Sequence, residues 1–121
     1  KRDYNQALTY FYEALKYNEG TEYYPYSMNW LGKTHAKKKD FNRAIEYHLK
    51  AYEFAQKTKA TLDVAQSLVG LGDAHREAGK YNEAINYYDR AEPVAKEVSP
   101  YNDELADIYS GLSLSYSKLY D

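Results

Sequence analysis

Apolar and small residues recur along this chain at steps of three and four residues, and short polar breaks separate the runs. One stripe extends from Met28 to His35 and another from Leu68 to His75. The break from Gly79 to Asn82 ends the second of these stripes, and a new stripe begins within it at Tyr81. This spacing places the side chains on one face of an α-helix, so the pattern predicts short helices that pack as antiparallel pairs.

The stripes repeat with a period near forty residues. Each complete copy has a Leu-Gly pair in its first helix and two alanines in its second. A fixed period with small residues at fixed places indicates a helical repeat array. The complete copies are Leu31-Gly32 with Ala44 and Ala51, and Leu71-Gly72 with Ala84 and Ala91; partial copies are Ala7 with Ala14, and Leu112-Ser113 with Tyr116.

The small residues have a physical reason to recur. Two helix backbones approach closely only where side chains are minimal, so we expect Gly72 to lie opposite Ala84 and Gly32 opposite Ala44. The second alanine of each copy would then let the next helix pair pack against the second helix. The spacing therefore predicts nested helix pairs.

Capping residues and helix breakers predict six helices. Pro25 is tolerated only in a first turn, so the second helix should begin nearer Tyr24 than Thr21, its start by register. Pro93 predicts a kink or an early end in the fifth helix. Ser99-Pro100 separates the last two helices, and Gly20 ends the first. The predicted N-caps are Asp3, Asp40, Thr61 and Asn102, and the helices end near Glu19, Lys38, Lys57, Ala78 and Val98.

The pattern resembles the tetratricopeptide repeat: Leu-Gly, an aromatic residue or His three places later, then Ala, an aromatic residue or His, and Ala along the second helix. The units run about six residues longer than the common length, and the middle unit lacks the proline that often closes the second helix. They are similar to extended units of signalling scaffolds and bacterial sensor proteins. The matching positions are Leu31, Gly32, His35, Ala44, His48 and Ala51, then Leu71, Gly72, His75, Ala84, Tyr88 and Ala91.

The resemblance implies an all-α fold, a right-handed superhelical solenoid of antiparallel helix pairs with six helices. It divides the single array of residues 1–121 into four segments. We expect a piece of a longer array, or a chain that associates end to end, because both terminal segments are incomplete repeats. The segments are 1–20 (a second helix), 21–60 (a repeat), 61–101 (a repeat) and 102–121 (a first helix).

Composition excludes several classes of protein. The chain has 121 residues, 44% of them apolar, and contains no run of the length that a membrane span needs. A net charge of −2 argues against nucleic acid as a partner. The absence of cysteine excludes disulfides and thiolate metal sites. Nothing resembles a leader, so the cytoplasm is the default compartment, and the periplasm follows if a leader preceded Lys1.

Catalytic chemistry is not expected. His35 and His75 occupy the place where the third copy has Tyr116, and His48 matches Phe11 and Tyr88, so we interpret the histidines as packing residues. Gly70-Leu71-Gly72 has no preceding strand and is not a phosphate-binding loop. The sequence therefore predicts a non-enzyme with no cofactor and no metal.

A stacked array leaves a concave face formed by the first helix of each pair, and we expect a protein or peptide partner there. Trp30 is the strongest candidate contact, since aromatic residues dominate interface hot spots; the alternative is that it packs under the first helix or against Tyr23 and Tyr24. Gly70 and Gly111 either leave room for a ligand backbone or allow close helix packing. The predicted contacts are Tyr26, Asn29, Trp30, Lys33, Lys37, Gln66, Val69, Gly70, Asp73, Arg76, Asp107, Ser110, Gly111 and Leu114.

Three functions are open at this point. The leading one is a non-catalytic interaction module or scaffold that binds a peptide or partner helix in the groove. The second is a sensory or dimerisation segment of a larger bacterial signalling protein, such as a histidine kinase, nucleotide cyclase or peptide-responsive regulator. The third is a structural spacer. Some tetratricopeptide domains hold a C-terminal carboxylate, but only Asn29 and Lys33 have suitable chemistry here, which disfavours that mode.

Overall fold

A computed structural model describes residues 3–99 and 102–120, which form six α-helices. The number of helices agrees with the prediction, and the boundaries agree to within a few residues. Pro100, part of the predicted break before the last helix, lies outside the described residues. The helices are α1 (Tyr4–Asn18), α2 (Tyr24–Lys37), α3 (Phe41–Thr58), α4 (Thr61–Glu77), α5 (Tyr81–Val98) and α6 (Asp103–Tyr120).

Three of the four predicted N-caps are confirmed. The side chains of Asp3 and Asp40 accept hydrogen bonds from the backbone three residues later, and Asn102 does the same for Leu105 N at 2.9 Å. Each satisfies one of the backbone donors that a helix start leaves without a partner. The prediction for Thr61 is wrong: it is the first residue of α4, and Ala60 precedes it without a side-chain cap.

The two helical prolines behave differently. Pro25 lies in the first turn of α2, as predicted, because its missing N–H is not needed there. Pro93 lies inside α5, and the helix continues to Val98, so the predicted early end is wrong. Buried residues on both sides of the proline hold α5 against its neighbours, and this packing offsets the lost hydrogen bond. They are Ala84, Tyr88, Ala91 and Ala95.

Consecutive helices pack against each other along the whole chain, and the first helices of successive pairs also touch. Thus α4 contacts α3 and α5, its neighbours in sequence, and also α2 and α6. This arrangement is a helical repeat solenoid, in which α2, α4 and α6 form one continuous wall. Ala44, Ala51, Ala84 and Ala91 have no exposed surface, in agreement with the predicted small positions.

Aromatic rings lie nearest to the glycines of this wall, whereas the sequence predicts Ala44 opposite Gly32 and Ala84 opposite Gly72. A Cβ built on Gly72 would lie 2.6 Å from Tyr88 Cε1, and one on Gly32 would lie 2.6 Å from His48 Nε2. Gly70 lies against the same His48 ring and Gly111 against Tyr88. The glycines thus make room for rings one turn beyond Ala44 and Ala84. Of the two interpretations of Gly70 and Gly111, the structure supports close packing.

Helix α1 is held by a polar cluster as well as by apolar contacts. The Tyr12 hydroxyl lies 3.1 Å from His35 Nε2 on α2 and 2.9 Å from the Tyr47 hydroxyl on α3. The His35 ring stacks on Tyr47, with centroids 5.4 Å apart. Burial lowers the pKa of His35. These contacts fix α1 across the first complete helix pair.

Candidate partner-binding groove

A cavity of about 540 Å³ opens between α1, α2 and α4. Five of the predicted contacts line it, and they come from two successive first helices. Helix α1 supplies a third wall that the sequence analysis did not assign to the site. The predicted residues at the cavity are Trp30, Lys33, Lys37, Gly70 and Asp73, and the additional ones are Tyr4, Ala7, Phe11, Thr34, Ala36, His48, Ala74 and Glu77.

The cavity lies where the repeat pattern is broken. Trp30 occupies the position that is glycine in the next two copies, at Gly70 and Gly111. In those copies a ring from the preceding second helix fills the space above the glycine. Phe11 is the corresponding ring on α1, but it stacks on the Trp30 ring instead, with centroids 6.0 Å apart and planes 10° apart. We attribute the opening beside α2 to this exchange of glycine for tryptophan.

Trp30 is surrounded on several sides and still reaches solvent. Its ring is in contact with Tyr26 edge-on at 6.3 Å, and Lys33 Nζ lies 4.6 Å from its centroid. The residue retains 39% of its surface exposed. The two interpretations of Trp30 are therefore both partly right, since it packs on α1 and lines the groove. Tyr24 does not cover it, because that ring packs against Phe54.

The charged residues of the groove differ in how they are paired. Asp73 accepts a hydrogen bond from the Tyr88 hydroxyl and lies 3.5 Å from Arg76. Arg76 also approaches Glu77 at 3.8 Å. In contrast, Lys33 and Lys37 form no ion pair with any carboxylate of residues 3–99 and 102–120. The α2 wall therefore presents two cations without an ion-pair partner among these residues, and only the more distant Asp107 carboxylate interacts with the Lys33 charge.

The Tyr88 hydroxyl contacts Asp73 and Arg76 from the core, where its ring lies between Gly72 and Gly111. It accepts from Arg76 Nε at 3.1 Å while donating to Asp73, so it links two predicted contacts to α5. Burial raises the pKa of Asp73. Burial and the adjacent Asp73 charge both raise the pKa of Tyr88. Asp73 and Arg76 are thus held in place rather than left as mobile surface charges.

Asn29 belongs to the interior, which corrects its predicted place on the open groove. It is 5% exposed and takes part in a chain of hydrogen bonds between helices. Ser67 Oγ donates to the Asp63 carbonyl at 2.8 Å and so accepts from Asn29 Nδ2 at 3.1 Å. The Asn29 carbonyl oxygen then faces His48 Nδ1 at 2.8 Å, and that nitrogen must carry the hydrogen.

His48 is a packing residue, as its match to Phe11 and Tyr88 indicated. Its ring lies between Gly32 and Gly70, and its edge forms part of the cavity floor. Burial, with a smaller contribution from the Lys33 charge, lowers the pKa of His48 to about 3. The ring is therefore neutral at physiological pH and contributes no charge to the groove.

The other predicted contacts lie away from the cavity. Val69 and Gly111 are buried, so their predicted exposure on the groove wall is wrong: α4 packs on four helices and Gly111 packs on Tyr88. The Gln66 amide donates to Glu104 at 3.3 Å. Burial raises the pKa of Asp107, and the Lys33 charge reduces this upward shift. The exposed predicted contacts outside the cavity are Tyr26, Asp107, Ser110 and Leu114.

Within residues 3–99 and 102–120, no group of three or more His, Cys, Asp or Glu side chains is arranged to hold a metal ion. None of the helices in the same ranges combines the length and apolar character that crossing a bilayer requires. The groove offers apolar rings, two lysines and a fixed carboxylate–arginine pair, which together suit non-covalent recognition.

Comparison with known proteins adds one finding. The family model described as tetratricopeptide repeat matches residues 23–97 and again residues 63–119. The two overlapping matches cover most of the chain and span the repeats whose glycines and rings form the wall beside the cavity. No curated protein sequence shows a significant match.

Proposed function

Because the chain belongs to the tetratricopeptide repeat family, we propose that it binds an extended peptide or partner helix in the groove between α1, α2 and α4. Tetratricopeptide repeats generally mediate protein–protein interaction and are generally non-catalytic. The observation that carries the proposal is Trp30, an exposed aromatic residue at an open cavity where the other copies have glycine. Large aromatic residues of this kind dominate binding energy at interfaces.

The volume of the cavity limits how many side chains a partner can insert. A volume of about 540 Å³ lies within the usual range of small-ligand pockets and would accept one or two side chains of a partner. The rest of the partner would lie along the wall of α2 and α4. We therefore favour an extended segment with one anchoring side chain, inserted beside Trp30 and Phe11.

The proposal is tested by selecting binders from a random peptide library with the wild-type chain and with Trp30→Ala as separate baits. Tyr23→Ala is a matched control, because Tyr23 is also an exposed aromatic residue but does not line the cavity. We expect peptides that bind wild type and Tyr23→Ala alike and lose at least tenfold in affinity for Trp30→Ala. A selection that yields no Trp30-dependent peptide contradicts the proposal.

A second proposal, self-association, rests on a ring pair that recurs in both complete repeats. In each, a histidine of the first helix packs on a tyrosine of the second. Such pairs join the two helices of one repeat through aromatic contact. The pairs are His35 with Tyr47, at 5.4 Å between centroids, and His75 with Tyr87, at 5.0 Å.

On α6, Tyr116 occupies the position of the histidine and is 46% exposed. On α1, Tyr10 occupies the position of the tyrosine and is 66% exposed. We propose that α6 of one copy packs on α1 of another and forms a third ring pair. Such contact would suit a sensory or dimerisation segment of a larger bacterial signalling protein. Light scattering should show a mass that rises with concentration, less so for Tyr116→Ser; a strict monomer at millimolar concentration excludes the association.

A further inference from the structure

We infer that the cavity selects internal peptide segments in which two acidic side chains, two residues apart, stand next to a large apolar residue. This inference rests on the proposed function and specifies the chemistry of the partner. It depends on three features of the groove: the pairing of its charges, the spacing of its lysines and the position of its aromatic rings.

The charge pairing favours an anionic guest. Both carboxylates at the cavity, Asp73 and Glu77, lie near Arg76, and Asp73 is also bonded to Tyr88. Lys33 and Lys37 line the same cavity without a carboxylate partner among the described residues. Lys33 rests over the Trp30 ring, a contact that a stronger anionic partner would replace. A guest carboxylate would therefore gain attraction without having to break an ion pair.

The spacing of the lysines sets the spacing of the acidic residues. Lys33 and Lys37 are four residues apart on α2, which corresponds to about 6 Å along the helix axis. An extended peptide advances about 3.3 Å per residue, so side chains two residues apart point to the same side and are separated by about the same distance. Two acidic residues at positions i and i+2 would therefore face the two ammonium groups in register.

The apolar residue of the guest would lie at the other end of this row. Trp30 precedes Lys33 by three residues on the same face of α2, and Phe11 stacks on the Trp30 ring at that end of the cavity. An aromatic or large aliphatic side chain placed there would contact the exposed part of the Trp30 ring. The rings of Trp30 and Phe11 make this end of the cavity apolar, whereas the row that follows on α2 carries the two lysines, an order that suits an apolar anchor followed by acidic residues.

A basic guest is the opposite possibility, and its partner would be Asp73, Asp107 or Glu77, which already lies 3.8 Å from Arg76. Asp73 already has a hydrogen-bond donor in Tyr88 and a cation in Arg76, so a second cation would gain less there. Asp107 does not line the cavity. The anionic guest is therefore favoured, and the basic guest becomes an outcome of the test.

The test uses the random peptide selection, with peptides displayed between two carrier segments so that no terminal carboxylate is presented. Peptides that require Trp30 are sequenced and their affinities are measured for wild type and for Lys33→Gln/Lys37→Gln. Lys57→Gln/Lys80→Gln loses the same charge at exposed positions outside the cavity and serves as the control. We expect acidic pairs next to an aromatic or large aliphatic residue, and about a fivefold loss of affinity for the groove variant alone at low salt.

The outcomes separate the two proposals. Enrichment of acidic–apolar peptides, with affinity that depends on Lys33 and Lys37 and falls with salt, supports the inference. Trp30-dependent peptides that are neutral or basic, or that bind both lysine variants equally, overturn the inference and leave the interaction module standing. Absence of any Trp30-dependent peptide overturns both.

Discussion

The ring of Tyr88 lies against Gly72 so closely that a Cβ on that glycine would stand 2.6 Å from Tyr88 Cε1. Gly111 flanks the same ring on α6, so Tyr88 is held between two first helices. His48 repeats the arrangement between Gly32 and Gly70. The rings of His48 on α3 and Tyr88 on α5 thus act as spacers between successive first helices and set how closely the wall of the groove is packed.

Gly72→Ala should destabilise the fold despite improving helix propensity. Alanine gains about 1 kcal/mol over glycine within a helix, but its Cβ would clash with a ring that has no exposed surface and cannot move aside. Forcing an extra methyl into a packed core costs about 1–3 kcal/mol. We therefore expect a net loss in the free energy of unfolding, measured by urea titration.

The matched control for this variant is Ser113→Ala. Ser113 occupies the same repeat position as Gly72 but is exposed on α6. We expect its free energy of unfolding to stay within about 0.5 kcal/mol of wild type. A Gly72→Ala variant as stable as Ser113→Ala would show that Tyr88 can move and that the glycine is not required for packing.

Repeat period and small-residue positions could be predicted from the sequence because they follow from local helix geometry. Ala44 and Ala84 are buried as expected, and the caps at Asp3 and Asp40 are correct. These features depend on side-chain size and on hydrogen bonds three residues away, which a single sequence displays directly.

The composition of the groove could be predicted only in part, for a physical reason. Helix periodicity predicts that the stripe opposite the partner helix is exposed, but α4 contacts four other helices, so most of its surface is covered. Asn29 falls on that stripe in α2, whereas its side chain bonds to His48 and Ser67 inside the wall. The wall formed by α1 was missed, although the substitution of Trp30 for Gly70 and Gly111 was a visible signal.

Stability should fall in acid partly because of His48. Its pKa is lowered from the ordinary 6.5 to about 3 in the folded chain. Between these values the unfolded chain binds a proton that the folded chain does not, so the free energy of unfolding falls as the pH falls from 6.5 towards 3. This contribution to stability is fully present above pH 6.5. His35, whose pKa is also lowered by burial, acts in the same direction.

His48→Phe isolates the contribution of this ring. The variant keeps His35 and every carboxylate, and phenylalanine already occupies the equivalent place at Phe11. We expect the free energy of unfolding to fall by about 1–3 kcal/mol, since the Asn29 carbonyl oxygen loses its hydrogen-bond donor, together with a smaller slope of the unfolding free energy between pH 6.5 and 3. An unchanged slope would show that His48 is not the residue that resists protonation.

Trp30 should report the positive charge of the α2 wall. As the only tryptophan, and with 39% of its surface exposed, it should be quenched by both acrylamide and iodide. Lys33 and Lys37 attract iodide, so Lys33→Gln/Lys37→Gln should lower the iodide quenching constant by about twofold at low salt. Acrylamide is neutral and its quenching should change much less. Equal changes for the two quenchers would indicate altered exposure instead of altered charge.

Pro93→Ala should stabilise the chain. Pro93 is exposed in the interior of α5 and removes one backbone hydrogen bond there without contributing a buried side chain. Proline is about 3 kcal/mol less favourable than alanine inside a helix, so we expect a gain of about 1–3 kcal/mol in thermal or urea unfolding. Pro25→Ala is the contrasting variant: Pro25 is buried in the first turn of α2, where proline has no such penalty, and its replacement should give no gain. If Pro93→Ala leaves the free energy of unfolding unchanged, α5 already accommodates the proline through a local bend. Packing of the bent helix against its neighbours would then compensate for the missing hydrogen bond.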